Sequence, residues 1–153
     1  MKTLIDFTTA MRSALDIAGE AEKSADIPVG AIILDIDGKI IGRGHNLRER
    51  DNDPTAHAEI VAMREAANSL GNWRLDGCTL VVTLEPCGMC AGAIAQARIP
   101  RVVFGAWDEK AGAVGSVWDL LRDPRAPFNV EVISGVLEDE CAQILRGFFE
   151  RFR

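Results

Sequence analysis

Four side chains in this 153-residue chain stand at spacings that could do chemistry. His57-Ala58-Glu59 is followed, 27 residues after Glu59, by Pro86-Cys87-Gly88-Met89-Cys90. His57, Cys87 and Cys90 are zinc-type ligands. Glu59 is an acid not needed for ligation. Zinc held by three protein groups keeps a fourth position open for water. Water on such an ion loses its proton near neutral pH, its pKa falling from ~15.7 to about 7. A carboxylate beside it can shuttle that proton. The set suits hydrolytic attack on an amidine-like carbon, such as the C–NH2 carbon of a nucleobase.

The spacing helps one half of the set more than the other. Cys87 and Cys90 are at i, i+3, which at the start of a helix puts both sulfurs on one side. A helix N-terminus also favours thiolate over thiol. His57 and Glu59 are two apart, and on a regular helix they would point to nearly opposite sides. They meet one ion only if the pair sits in the first turn, where the entering chain redirects His57. A closed structural zinc site would need a fourth protein ligand. His45 is the only other histidine, and Cys78 and Cys141 fall in apolar runs. Those two cysteines read as small buried hydrophobes.

The elements that must position these groups alternate in type. Phe7, Met11, Leu15 and Ala18 recur at helical spacing, predicting an amphipathic helix over about 3–22. Val29 to Leu34 reads as a buried strand, Asp37-Gly38 as a hairpin turn, and Lys39 to Gly44 as the returning strand. Asp53-Pro54-Thr55 offers helix-start chemistry for a helix to about Asn68. Strands over 79–84, 101–105 and 130–134 and helices over 87–97 and 138–152 complete the set. Cys141, Ile144, Leu145, Phe148 and Phe152 share one face of the last helix. The pattern predicts one domain over 1–153, a three-layer α/β/α sandwich around a five-stranded mixed sheet. The 106–127 stretch is the most irregular.

Composition sets further bounds. The formal net charge is 17 − 23 = −6, which argues against indiscriminate nucleic-acid binding but leaves room for a local basic patch. The opening residues carry no signal-peptide pattern, and no run approaches the ~20 apolar residues of a membrane span. The expected compartment is the cytoplasm. Two disulfides are a weak reading of four cysteines there.

With these residues in view, the chain resembles the zinc-dependent cytidine deaminase superfamily, through His-Ala-Glu and Pro-Cys-x-x-Cys. Within it, the chain is similar to the bacterial tRNA-specific adenosine deaminases. Pro28-Val29-Gly30-Ala31, Asp53 to Ile60, Thr83 to Cys87, Met89 to Gly92 and Arg101 to Ala106 carry the likeness. Asp108, Lys110, Gly112, Ala113, Gly115, Ser116, Asp139-Glu140-Cys141 and Phe148-Phe149 continue it. The resemblance implies one zinc per chain on His57, Cys87 and Cys90, with Glu59 as proton carrier. It implies hydrolysis of adenosine to inosine at the wobble position of a tRNA anticodon, with the anticodon stem-loop lying across a homodimer. It places Asn46 against the base, with Ala58, Lys110 and Arg151 as further substrate-side positions. The chain departs from the family at Pro127-Phe128, where Asn-His is frequent.

Bland readings compete for the substrate-side residues. Asn46 could simply close a turn. Arg43, Arg48 and Arg50, the Arg98/Arg101 pair, and Arg146 and Arg151 beside three phenylalanines could bind phosphate or stand in solvent. Trp73, Trp107 and Trp118 read as packing residues. The alternatives to a tRNA deaminase are a deaminase of free guanine, cytosine or a nucleoside, and a non-catalytic zinc-stabilised RNA-binding module. The spare acid, Glu59, speaks against the module.

Overall fold

A computed structural model describes residues 6–152. Two helical layers enclose one sheet. The strands are β1 (Gly30–Leu34), β2 (Ile40–His45), β3 (Thr79–Leu84), β4 (Arg101–Ala106) and β5 (Glu131–Ile133). Their order is β2-β1-β3-β4-β5. β1 runs antiparallel to β2 and β3, and β3, β4 and β5 run parallel. The helices are α1 (Thr8–Glu20), α2 (Arg48–Asp51), α3 (Ala58–Leu70), α4 (Gly88–Gln96) and α5 (Glu138–Arg151).

The side-chain period of two splits the apolar strands between two cores. Ile33, Leu80, Val82, Val102 and Phe104 face α3 and α4. Ile32, Val81 and Val103 face Met11 and Ala14 of α1 and Cys141 of α5. Burial on both faces explains why these strands read as unbroken apolar runs. The expected α/β/α sandwich with a five-stranded mixed sheet is the fold observed.

The elements differ from expectation at their ends. α1 begins at Thr8, and the 3–5 part of the expected helix lies outside the described residues. After Glu20 the chain tightens into a 3-10 turn to Ser24. Asp53 does not start α3. It closes a local turn, its Oδ1 accepting the Thr55 N–H at 2.8 Å and the Thr55 hydroxyl at 2.7 Å. A side chain satisfied that early cannot cap a helix beginning at Ala58. The single turn of α2 was not anticipated either. It rests on Asp26, only 2% exposed, which accepts the backbone N–H groups of Glu49 and Arg50.

Cys78 and Cys141 are buried, free thiols, as their apolar contexts predict. Burial pushes the Cys141 thiol up to about 12. The tryptophans are not core: Trp73 is 60% exposed and Trp118 57%. Trp107 is partly exposed and meets Phe104 edge-on at 4.9 Å.

Candidate active site

The site forms where α3 and α4 begin. α3 lies directly on β2 because Gly42 and Gly44 face it: a Cβ at Gly42 would strike the Ala62 carbonyl, and one at Gly44 the Ala58 carbonyl. Ala58, Ala62 and Ala66 are the buried small residues of the apposed stripe. This seating fixes the first turn of α3 against the end of the sheet.

His57 is the N-cap of α3, with extended backbone (φ −70°, ψ 153°). Glu59 is already inside the first turn. The break in helical geometry at His57 resolves the two-residue spacing, since the entering chain, and not the helix, aims the imidazole. Cys87 is likewise the extended N-cap of α4 (φ −78°, ψ 178°), with Cys90 one turn further on. Two helix N-termini therefore converge on the cluster, and both favour negative charge there.

His57 Nδ1 stands 3.5 Å from the sulfur of Cys87 and 3.5 Å from that of Cys90. The three ligand atoms lie within 4.8 Å of one another. Tetrahedral ligands with bonds of ~2.0–2.3 Å to zinc sit roughly 3.5–3.8 Å apart. The geometry and the donor types both fit zinc. Among the described residues no other His, Cys, Asp or Glu joins the cluster. The two thiols differ in their surroundings. Hydrogen bonds from Cys90 and His57 pull the Cys87 thiol down to about 3. Its partner Cys90 is pushed far up, by the bond to Cys87 and by burial.

Glu59 is 4% exposed, and burial raises its carboxyl above the usual range. It lines a pocket of about 260 Å³ together with Asn46, Arg48, His57, Cys87 and Asp108. A larger cleft of about 740 Å³ shares Ile27, Leu84, Asp108 and Ala111 with it and runs on between the 107–116 loop and α5. A third cleft, of about 530 Å³, lies beside Asp35, Arg101 and Glu131, away from the cluster.

Asn46 lines the pocket but is also tethered. Its amide donates to the Ile27 carbonyl at 3.0 Å, and its Oδ1 accepts the Ala58 N–H at 2.8 Å. Thus Asn46 and Ala58 are brought together, with the first backbone donor of α3 satisfied by the amide. A second amide hydrogen and a second lone pair are left over from these two bonds. Asn46→Ala should therefore lower stability by about 1–3 kcal/mol, the cost of orphaned buried groups, and activity with it. Urea unfolding and initial rates on the same samples check this. An Asn46→Ala protein of full stability would mean the tether is dispensable.

The remaining candidates scatter. Lys110 is exposed and borders a depression of about 490 Å³ with Arg146, Phe149 and Glu150. Arg151 is not aimed at the pocket but pairs with Glu22. Arg50 pairs with Asp51, and Arg101 with Glu131. His45 Nδ1 lies 3.2 Å from the carbonyl oxygen of Asn46, a packing role. Phe148 is buried, whereas Phe149 and Phe152 are about half exposed. Phe128, the departure from the family pattern, packs under the Arg98 guanidinium, 3.9 Å from its ring centre. The loop is held there by stacking rather than by a polar contact.

Sequence reasoning missed Glu85. It is 2% exposed, directly precedes Pro86-Cys87, and binds the loop that walls the pocket. Its carboxylate accepts the N–H groups of Asp108, Val114 and Ser116, each at 3.0 Å, and the Ser116 hydroxyl. An acid closing an apolar strand and facing a Gly-rich loop was the available signal. Glu85→Ala should cost about 3 kcal/mol through unmet N–H donors while zinc binding persists. Faster amide exchange over 108–116 is the signature; unchanged exchange would free the loop from Glu85.

Fold and site define a zinc-dependent deaminase. The model of the cytidine and deoxycytidylate deaminase zinc-binding region matches residues 6–106, and the chain belongs to that family. The tRNA-specific adenosine deaminase of Bacillus subtilis is 48% identical over 143 residues, covering 94% of this chain and 88% of that protein. A structure solved in a study of A-to-I editing by tRNA:A34 deaminases superposes with TM-score 0.86 at 45% identity, over 90% of this chain and 99% of that one. Guanine deaminase from Bacillus subtilis superposes with TM-score 0.65 at 33% identity, over 97% and 94%.

Proposed function

We propose that this chain hydrolyses adenosine to inosine at the wobble position of a tRNA anticodon, releasing ammonia. The observation that carries the chemistry is a three-ligand cluster with a buried, non-ligating acid in the same pocket. The substrate reading is supported by the greater similarity to the tRNA deaminases than to guanine deaminase.

Zinc held by His57, Cys87 and Cys90, one ion per chain, supplies a water acidified toward neutrality. Glu59 takes one proton of the attacking water at its carboxylate and delivers it to the ring nitrogen beside C6; it then takes the second from the new C6 hydroxyl and hands it to the departing amine. One water enters, one ammonia leaves, and C6–NH2 becomes C6=O. Burial shields the Glu59 proton from bulk exchange between these transfers. Asn46 orients the purine through its remaining amide valences, over the backbone of Ala58. Lys110 and Arg151 contribute outlying positive charge for RNA. An anticodon loop presents an unpaired base, which lowers the cost of extruding it into a pocket.

The whole chain, 1–153, acts as one domain, and its tRNA substrate places its work in the cytoplasm. Among the described residues no helix is long and apolar enough to cross a membrane. A homodimer is supported by an apolar groove on the outer face of α3 and α4, where Ile60, Met63, Trp73 and Ala93 line about 310 Å³. Ammonia release separates the readings. Release from an anticodon hairpin but not from guanine or cytosine is expected. Release from a free base alone would favour the free-base deaminase, and none from a zinc-loaded protein would leave the RNA-binding module.

A further inference from the structure

We infer that Arg48 is a specificity-determining residue that meets a backbone phosphate of the target nucleotide, so that the site prefers a polynucleotide over a free base or nucleoside. The inference rests on the deaminase reading above and adds to it a rule for substrate choice.

Arg48 is exposed, lies two positions beyond Asn46, and lines the pocket that holds His57 and Glu59. Its neighbours in that wall include three carboxylates, Glu59, Glu85 and Asp108. Arg48 makes no ion pair among the described residues, unlike the nearby Arg50; Lys39, Arg43, Arg98, Lys110 and Arg146 make none either, but none of those five lines this pocket. Glu85 is occupied by the loop donors, and Glu59 is at the floor. An unpaired guanidinium at the rim of an acidic pocket is a ready partner for an incoming anion.

Its backbone is built to stay in place. Asp26 accepts the Glu49 N–H at 2.7 Å and the Arg50 N–H at 3.3 Å, and is itself braced by the Ser24 hydroxyl at 2.6 Å. The Leu47 N–H donates to the Ala56 carbonyl at 3.0 Å, tying α2 to the segment that delivers His57. A buried acid thus fixes the turn that presents Arg48. With the base at the floor between His57 and Glu59, sugar and phosphate emerge at the rim. A nucleic-acid strand has a phosphate there, and a free base or nucleoside has none.

The test uses full-length zinc-loaded protein, an RNA hairpin with adenosine in its loop, and free adenosine. Arg48→Ala should raise KM and Kd for the hairpin about tenfold at unchanged zinc content and Tm, and should lower kcat/KM for the hairpin far more than for free adenosine. The slope of log Kd against log salt should fall by about 0.7, one phosphate contact on a single strand. Arg48→Lys should keep that slope, and Arg50→Ala should behave as wild type. An Arg48→Ala protein with wild-type KM and slope would overturn the inference, as would a raised KM at unchanged slope or an equal effect of Arg50→Ala. In those cases wild-type turnover of the hairpin leaves the deaminase reading standing. A wild-type protein inert on the hairpin overturns both.

Discussion

Alanine at His57, Cys87 or Cys90 should empty the site of zinc and abolish deamination. Metal analysis of purified wild-type protein should give about one zinc per chain, the content of a three-ligand catalytic centre, and each variant should fall to near zero. The loss should be close to complete because no fourth His, Cys, Asp or Glu joins the cluster among the described residues. Thermal stability should fall as well. The ion joins the N-termini of α3 and α4, and metal binding is linked to folding wherever the unfolded chain lacks a formed site. A chelator should produce the same drop in the wild type. Full zinc occupancy in all three variants would refute the ligand set.

Glu59→Gln should separate chemistry from metal. The amide keeps the shape of the side chain but cannot carry the proton. Turnover should fall by ~10²-fold or more, the scale of general acid–base catalysis, with zinc content unchanged. Stability should hold or rise, because burial already disfavours the charged carboxylate at this position. Measuring kcat, zinc and Tm on one preparation decides the matter. Turnover within a few-fold of wild type would move the proton to another group.

Much of this site was legible from residue types alone. His57, Cys87 and Cys90 were identifiable because thiolate, imidazole and helical i, i+3 spacing are local facts. What the sequence left open was the aim of His57, which depends on the chain entering α3 in extended form after the Asp53 turn. The strands were legible because β1, β3 and β4 are buried on both faces. The role of Asn46 was only half visible: its position was clear, but its bonds to Ile27 and Ala58 come from residues 19 and 12 positions away. Glu85 and Asp26 were missed for the same reason. Each is a buried acid whose backbone N–H partners lie 23 or more residues distant, and backbone donors leave no mark on residue identity. The basic side chains were legible as charge but not in their pairing. Arg50, Arg101 and Arg151 carry plausible charge for RNA, and each is paired with a carboxylate.

The seating of α3 on Gly42 and Gly44 bears on how such an enzyme could be re-tuned. Where side chains separate a helix from its sheet, laboratory evolution can slide the helix by trading large residues for small ones. Here backbone meets backbone, and there is no intervening volume to trade. The register of Glu59 against the metal ligands is therefore a fixed datum, insulated from drift elsewhere in the core. Variation that broadens or narrows the range of accepted bases should accumulate in the turn over 48–52 and the loop over 107–116, which border the pocket without carrying its zero point. A library confined to those loops should yield altered selectivity at preserved zinc affinity, whereas one directed at the α3–β2 contact should yield mainly unfolded protein.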